Sequence, residues 1–215
     1  MLQCLAAEGL LSFDTESHKY HFGPLAYDIG VAAAERLDFP RLCKPTLARI
    51  AENTGDTAFL IVRNADDSIC VDRASGSYPI KTFVVDVGTR RPLGIGAGSL
   101  AILSALSNEA AELILNQNAQ RFTSYAGLPM ARIRQLMEHG RRTGYIAMDV
   151  VDVPGARTVG VPVFISGHKP IAALSVAAIS ARMTPEREST LAKLLNKEAQ
   201  DLGALLDQHM ATGQA

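Results

Sequence analysis

Three glycines at alternate positions stand in the run Gly94-Ile95-Gly96-Ala97-Gly98-Ser99, directly ahead of an apolar stretch that reads as a helix. Glycines let backbone N–H groups come close to a ligand, and a helix start carries partial positive charge. A carboxylate suits such a place. A dinucleotide does not, because Ser99 stands where the fingerprint needs its third glycine and no strand-helix-strand unit surrounds the run. A phosphate loop is excluded as well, since the Gly-Lys-Ser/Thr sequence is absent. The bland alternative is a glycine turn that only lets a helix close on a sheet.

Other candidates for chemistry lie on late strand-like runs. Asp149, Thr158 and Ser175 are polar residues among apolar neighbours. Strand residues of one parity share a face, so these side chains could meet a ligand. Against this, Asp149 also reads as a solvent-facing acid, and Thr158 and Ser175 as ordinary strand filling. Arg90 and Arg91 could draw an acid toward the glycine run or simply sit in a solvated loop. Asp72 and Arg73 read as a surface or interface pair, and Arg132, Arg134, Arg141 and Arg142 as a solvated helix face. Catalytic signals are poor: no His lies near Ser175, and there is no Gly-x-Ser-x-Gly elbow or acid/base pair. The five histidines lack zinc-protease spacing, and Cys4, Cys43 and Cys70 form no C-x-x-C pair. No metal or cofactor is expected, and the cysteines read as reduced thiols.

The elements that must position these residues follow from composition and periodicity. With 215 residues, 47% of them hydrophobic, the chain suits one large domain, alone or with a small appendage. Trp is absent and aromatics reach only 6%, so the core must be aliphatic. A net charge of −1 gives no footprint of a nucleic-acid binder. No apolar run approaches the roughly 20 residues that span a bilayer, and the start lacks a basic signal-peptide region. A cytoplasmic protein is expected.

Residues 1–11 predict a helix stopped at Gly9, then two strand-like runs, 10–13 and 19–22, around the turn cluster Asp14-Thr15-Glu16-Ser17. Residues 24–37 predict a helix with Leu25, Ile29, Ala32 and Leu37 on one side, and Pro40 opens another with the stripe Cys43, Leu47 and Ile50. A hairpin over 58–62 and 69–73 and a third strand over 81–87 come next. Helices are expected over 100–106, 108–117 and 129–142, strands over 145–151, 158–165 and 170–179, and a last helix capped by Thr184 with Pro185 first. Hairpin connections dominate, so the reading is α+β with a mainly antiparallel sheet flanked by helices.

Several segments resemble the IclR family of bacterial transcription regulators. Leu2 through Leu11 resembles the end of that family's recognition helix, and Asp14 through Gly23 its wing. Pro45–Gly55 resembles the helix before the first effector-domain strand, and Pro92–Ser99 the glycine-rich pocket turn. Gly144 through Pro162-Val163 and Pro170–Ala177 resemble the last three strands. The ordered set covers nearly the whole chain.

The resemblance implies a GAF/profilin-like effector-binding domain over 39–210, a linker helix over 24–38, and over 1–23 the C-terminal remnant of a winged helix-turn-helix. It implies a homodimer or homotetramer, operator DNA as partner of the full-length protein, and a small organic acid as effector. Pocket positions carry over to Gly96, Ala97 and Gly98, and to Met148 or Asp149, Thr158, Ser175 and Ala177. With the first two helices of the DNA-binding domain outside the matched sequence, this chain alone is not expected to bind DNA specifically. A small enzyme acting on a carboxylic acid in the same pocket, or a module with a vestigial pocket, are the competing readings. An acid with a sizeable apolar or aromatic body is expected, because Met148 and Ala177 are apolar where relatives can be polar.

Overall fold

Gly9 ends the first helix as its sequence position requires. In the computed structural model, which describes residues 1–29, 38–166 and 169–211, α1 (Leu2–Ala7) is followed by Gly9 at φ +76°, and Leu10 N–H reaches back to the Leu5 carbonyl at 2.9 Å. β1 (Leu11–Asp14) and β2 (Lys19–Phe22) pair antiparallel, with Leu11 opposite Phe22 and Asp14 opposite Lys19. The Asp14 carboxylate accepts the Glu16 N–H at 2.9 Å and the Ser17 hydroxyl at 2.6 Å, which sets the turn. Residues 24–29 are helical (α2). Ala32 and Leu37 of the expected stripe lie outside the described residues. These elements belong to one compact unit, Met1–Arg41, and a second begins at Leu42.

α3 (Asp38–Thr54) starts two residues before Pro40, which therefore sits in the first turn, where a missing N–H costs no helical bond. Cys43, Leu47 and Ile50 form its buried stripe, as the periodicity predicts. The Thr54 hydroxyl bonds the Ile50 carbonyl at 2.8 Å, and Gly55 turns the chain out at φ +74°.

The sheet is built from β3 (Thr57–Asn64), β4 (Asp67–Ser75), β5 (Arg90–Pro92), β6 (Ile146–Asp149), β7 (Ala156–Ile165) and β8 (Lys169–Ile179). Its order is β5-β4-β3-β8-β7-β6, and every adjacent pair is antiparallel. The expected third strand over 81–87 does not form; that edge of β4 is paired with Arg90–Pro92 instead. Cys70 exchanges backbone bonds with Thr89 and Gly88, so the β4 edge has no room for residues 81–87. Residues 76–89 cross the surface as an irregular strap.

α4 (Ala97–Ser104), α5 (Asn108–Phe122) and α6 (Met130–Thr143) follow β5, and α7 (Pro185–Ala211) follows β8. α4 begins three residues earlier than its apolar run suggests. All eight of its residues are buried, as expected of a helix apolar on every side. Ser107 caps α5 by accepting the Ala110 N–H at 3.2 Å, Gly144 ends α6 in the left-handed conformation, and Thr184 caps α7 by accepting the Arg187 N–H at 3.3 Å. The main core lies among α4, α5, α6 and β6, with Leu100, Leu103, Leu115, Ile133 and Ile146 fully buried.

Candidate functional site

The first turn of α4 lies against the middle of the sheet because β7 carries a glycine there. A Cβ on Gly160 would stand 2.7 Å from the Ala97 carbonyl carbon and the Gly98 nitrogen, so only glycine admits this approach. Gly98 repeats the theme: a Cβ there would come within 3.0 Å of Ile61 and 3.3 Å of the Ser175 hydroxyl. Gly94 and Gly96 supply the turn into the helix at φ +119° and +88°, conformations that favour glycine. The Ser99 hydroxyl accepts the Gly94 N–H at 2.8 Å and fixes that turn. Gly96 is the N-cap and makes no side-chain cap, so the N–H groups of the first turn have no intrahelical acceptor.

A cavity opens beside this helix start. Its floor is the sheet: Phe59 and Ile61 from β3, Ser68 and Cys70 from β4, Thr158 from β7 and Ser175 from β8. Register explains the set, since Phe59 and Gly160 both pair with Ser175 and so share its face. Residues 95–99 form one wall, and the strap adds Val84, Val85 and Thr89. Arg91 and the residues Val150 and Val151 complete the rim. The space, mouth included, is about 580 Å³, of which about 50 Å³ is open to the centres of water molecules. A water needs roughly 10–15 Å³ by that measure, so the space admits a ligand of several heavy atoms.

The electrostatics are simple. Ser175 is 5% exposed and Thr158 is 6% exposed, and neither hydroxyl has a hydrogen-bonding partner among the described residues. Among the described residues no Asp or Glu lines the cavity, and Arg91 is the one charged side chain that does. Burial pushes the Cys70 thiol up to about 11, with Asp72 and Asp86 adding to that and Arg73 opposing it. Cys70 is therefore a neutral thiol at ordinary pH and a poor nucleophile. Among the described residues no group of three His, Cys, Asp or Glu could hold a metal ion. The arrangement can bind an anion or a hydrogen-bond acceptor; it has no paired acid and base.

Of the residues singled out from sequence, Gly96, Ala97, Gly98, Thr158 and Ser175 meet at this one cavity. Met148 is buried in the core with α4 and α6. Asp149 is exposed and bonds Arg157 Nη1 at 2.9 Å. Ala177 is fully buried with Phe59 and Cys70. None of these three lines the cavity. Arg90 turns away to pair with Asp67 at 3.0 Å, whereas Arg91 faces the cavity rim. Sequence reasoning did not find Gly160 or the strap. A glycine inside a strand pattern signals a close backbone approach, so Gly160 was findable; the strap carried no such signal.

Residues 31–204 match the family described as bacterial transcriptional regulator IclR C-terminal. The chain belongs to the IclR family of bacterial transcription regulators. Its curated relatives include the HTH-type transcriptional regulator BhcR of Paracoccus denitrificans, 27% identical over 203 residues, covering 94% of this chain and 72% of BhcR. The HTH-type transcriptional repressor AllR of Escherichia coli is 23% identical over 210 residues, covering 96% of this chain and 76% of AllR. The Thermotoga maritima IclR structure superposes with a TM-score of 0.71 at 19% identity, covering 96% of this chain and 83% of that one. An IclR family regulator from Brucella abortus gives a TM-score of 0.78 at 16% identity, covering 95% and 77%. The antiparallel sheet flanked by helices is thus the fold of IclR effector-binding domains. The relatives are regulators and not enzymes, so the enzymatic reading falls away. No helix among the described residues is long and apolar enough to cross a membrane.

Proposed function

We propose that this IclR-family chain senses a small carboxylic acid at the start of α4, and that the bound acid controls DNA binding by the family's winged helix-turn-helix. The observation that carries the reading is the pair Ser175 and Thr158. Both residues are more than nine-tenths buried, both line the cavity, and neither hydroxyl has a protein partner among the described residues. A ligand that takes the place of solvent beside these hydroxyls must accept their hydrogen bonds or leave them unpaired, so an acceptor is favoured. Beside them the open N–H groups of α4 carry the positive end of a helix dipole. An anion can be held there without a buried counter-ion and its desolvation cost. The apolar wall of Phe59, Ile61 and Val150 then takes the body of the acid.

Titration calorimetry with a panel of aliphatic and aromatic acids, amines and neutral sugars tests this. Acids are expected to bind, with amines and sugars inert. Gly98→Ala is the informative variant, because its new methyl would fill the gap between Ile61 and the Ser175 hydroxyl. Gly96→Val is less clean, since a β-branched residue at φ +88° strains the turn before it blocks the pocket. Binding of sugars or amines with no acid bound, or undiminished acid binding by Gly98→Ala, contradicts the proposal.

A further inference from the structure

We propose that the acid sensed by this chain carries a second anionic group at its far end, and that Arg91 binds that group by exchanging it for Asp152. The inference rests on the carboxylate reading of α4 and adds a second binding point to it. Arg91 is the one charged residue of a cavity whose described walls contain no acid. Its side chain is 18% exposed. It is held at the rim: Nη2 stands 3.2 Å from Asp152 Oδ2 and donates to the carbonyl of the cavity-lining Val84 at 3.4 Å. Asp152 is 46% exposed and does not line the cavity. A pair that open to water is weak, and its acid recovers solvation when displaced. A ligand carboxylate arriving from within would meet a planar fork able to take both its oxygens, which a single Nη2 contact to Asp152 leaves unused.

The position of Arg91 makes the exchange consequential. The Arg91–Asp152 pair joins two segments of the cavity rim, the strap through Val84 and the loop that carries Val150 and Val151. The strap is pinned on its other side by Arg73, which donates to the Val85 carbonyl at 3.3 Å, pairs with Asp86 at 2.9 Å and stacks on Phe83 at 4.2 Å. Displacing Asp152 therefore removes this ion pair between loop and strap, while Val150 stays bonded to the Ala156 carbonyl at 2.9 Å and the strap stays held by Arg73. Two positive groups on one cavity that Phe59, Ile61 and Val150 also line fit a diacid with an apolar middle. A monoacid satisfies only the α4 end and leaves the Arg91–Asp152 pair intact.

The test is calorimetry of the chain at fixed ionic strength with succinate, glutarate, adipate and isophthalate, each against its monoacid counterpart butyrate, valerate, hexanoate and benzoate. At least one diacid is expected to bind about tenfold tighter than its counterpart, the worth of one charge-assisted bond. Arg91→Gln should remove that advantage, weakening the diacid severalfold more than its monoacid counterpart. Asp152→Asn should raise diacid affinity severalfold, a gain that mere loosening of the rim would not give, since monoacids would then gain equally. If monoacids bind as tightly as diacids and Asp152→Asn changes neither, the second anion site is wrong and the α4 site stands. If no acid binds at all, both readings fail.

Discussion

At the scale of single residues, Ser175 and Thr158 matter most because they line the cavity with hydroxyls that the protein leaves unused. Ser175→Ala should weaken acid binding by about 1 kcal/mol, roughly fivefold, while leaving the unfolding midpoint nearly unchanged, since no protein hydrogen bond is lost. An unfolding midpoint that drops while affinity holds would make Ser175 a purely structural residue. The cysteines give a second check. Cys70 and Cys43 are pushed up to about 11 and about 12, chiefly by burial, and Cys4 is exposed. Alkylation near neutral pH should therefore label one thiol quickly, on Cys4, and rapid labelling of Cys70 would show that the cavity wall opens. Strand parity was enough to pick out Thr158 and Ser175 from sequence. It could not separate them from Met148 and Ala177, because Met148, Thr158 and Ala177 pair in one row across β6, β7 and β8. Parity gives the face of a sheet; which part of that face α4 leaves uncovered depends on Gly160, a long-range contact.

At the scale of elements, the seating of α4 on β7 decides whether the pocket exists. Gly160→Ala places a methyl 2.7 Å from the Ala97 and Gly98 backbone, which cannot yield as a flexible side chain would. We expect a loss of about 1–3 kcal/mol in chemical unfolding together with loss of acid binding. Retained binding would mean that the helix start is not the anion site. The β3–β4 hairpin supplies a prediction on pH. Partial burial pushes the Asp67 carboxyl up, but Arg121 at 2.6 Å and Arg90 at 3.0 Å outweigh it and hold the group below its usual 3.8. A carboxyl lowered in the folded state adds stability above its unfolded value and loses it as pH falls through the folded one. Urea midpoints should therefore fall between about pH 5 and pH 2, and Asp67→Asn should flatten part of that fall. An identical acid profile for the variant would show that the two arginines do not act through this carboxylate. The helices and the hairpin strands were legible because caps, prolines and alternation are local signals, as at Thr184, Pro185 and Gly144. Residues 81–87 are rich in β-branched and aromatic residues like a strand, yet Arg90–Pro92 occupies that place beside β4, a competition that no local pattern records.

At the scale of the molecule, a sensor must couple ligand binding to folding free energy. An acid present at a hundred times its Kd should stabilise the Leu42 unit by about 2.7 kcal/mol. For a unit of this size that corresponds to a rise in Tm of roughly 5–11 °C. Acids that bind by calorimetry yet leave Tm unmoved would be binding the folded and unfolded chains alike. The measurement that tests the central claim most directly is a crystal structure of the chain with a calorimetrically confirmed acid. The account predicts a carboxylate within about 2.7–3.2 Å of the N–H groups at Ala97 and Gly98, with the Ser175 hydroxyl donating to it. An acid seated elsewhere, or one in this cavity with every carboxylate turned away from the start of α4, would contradict it.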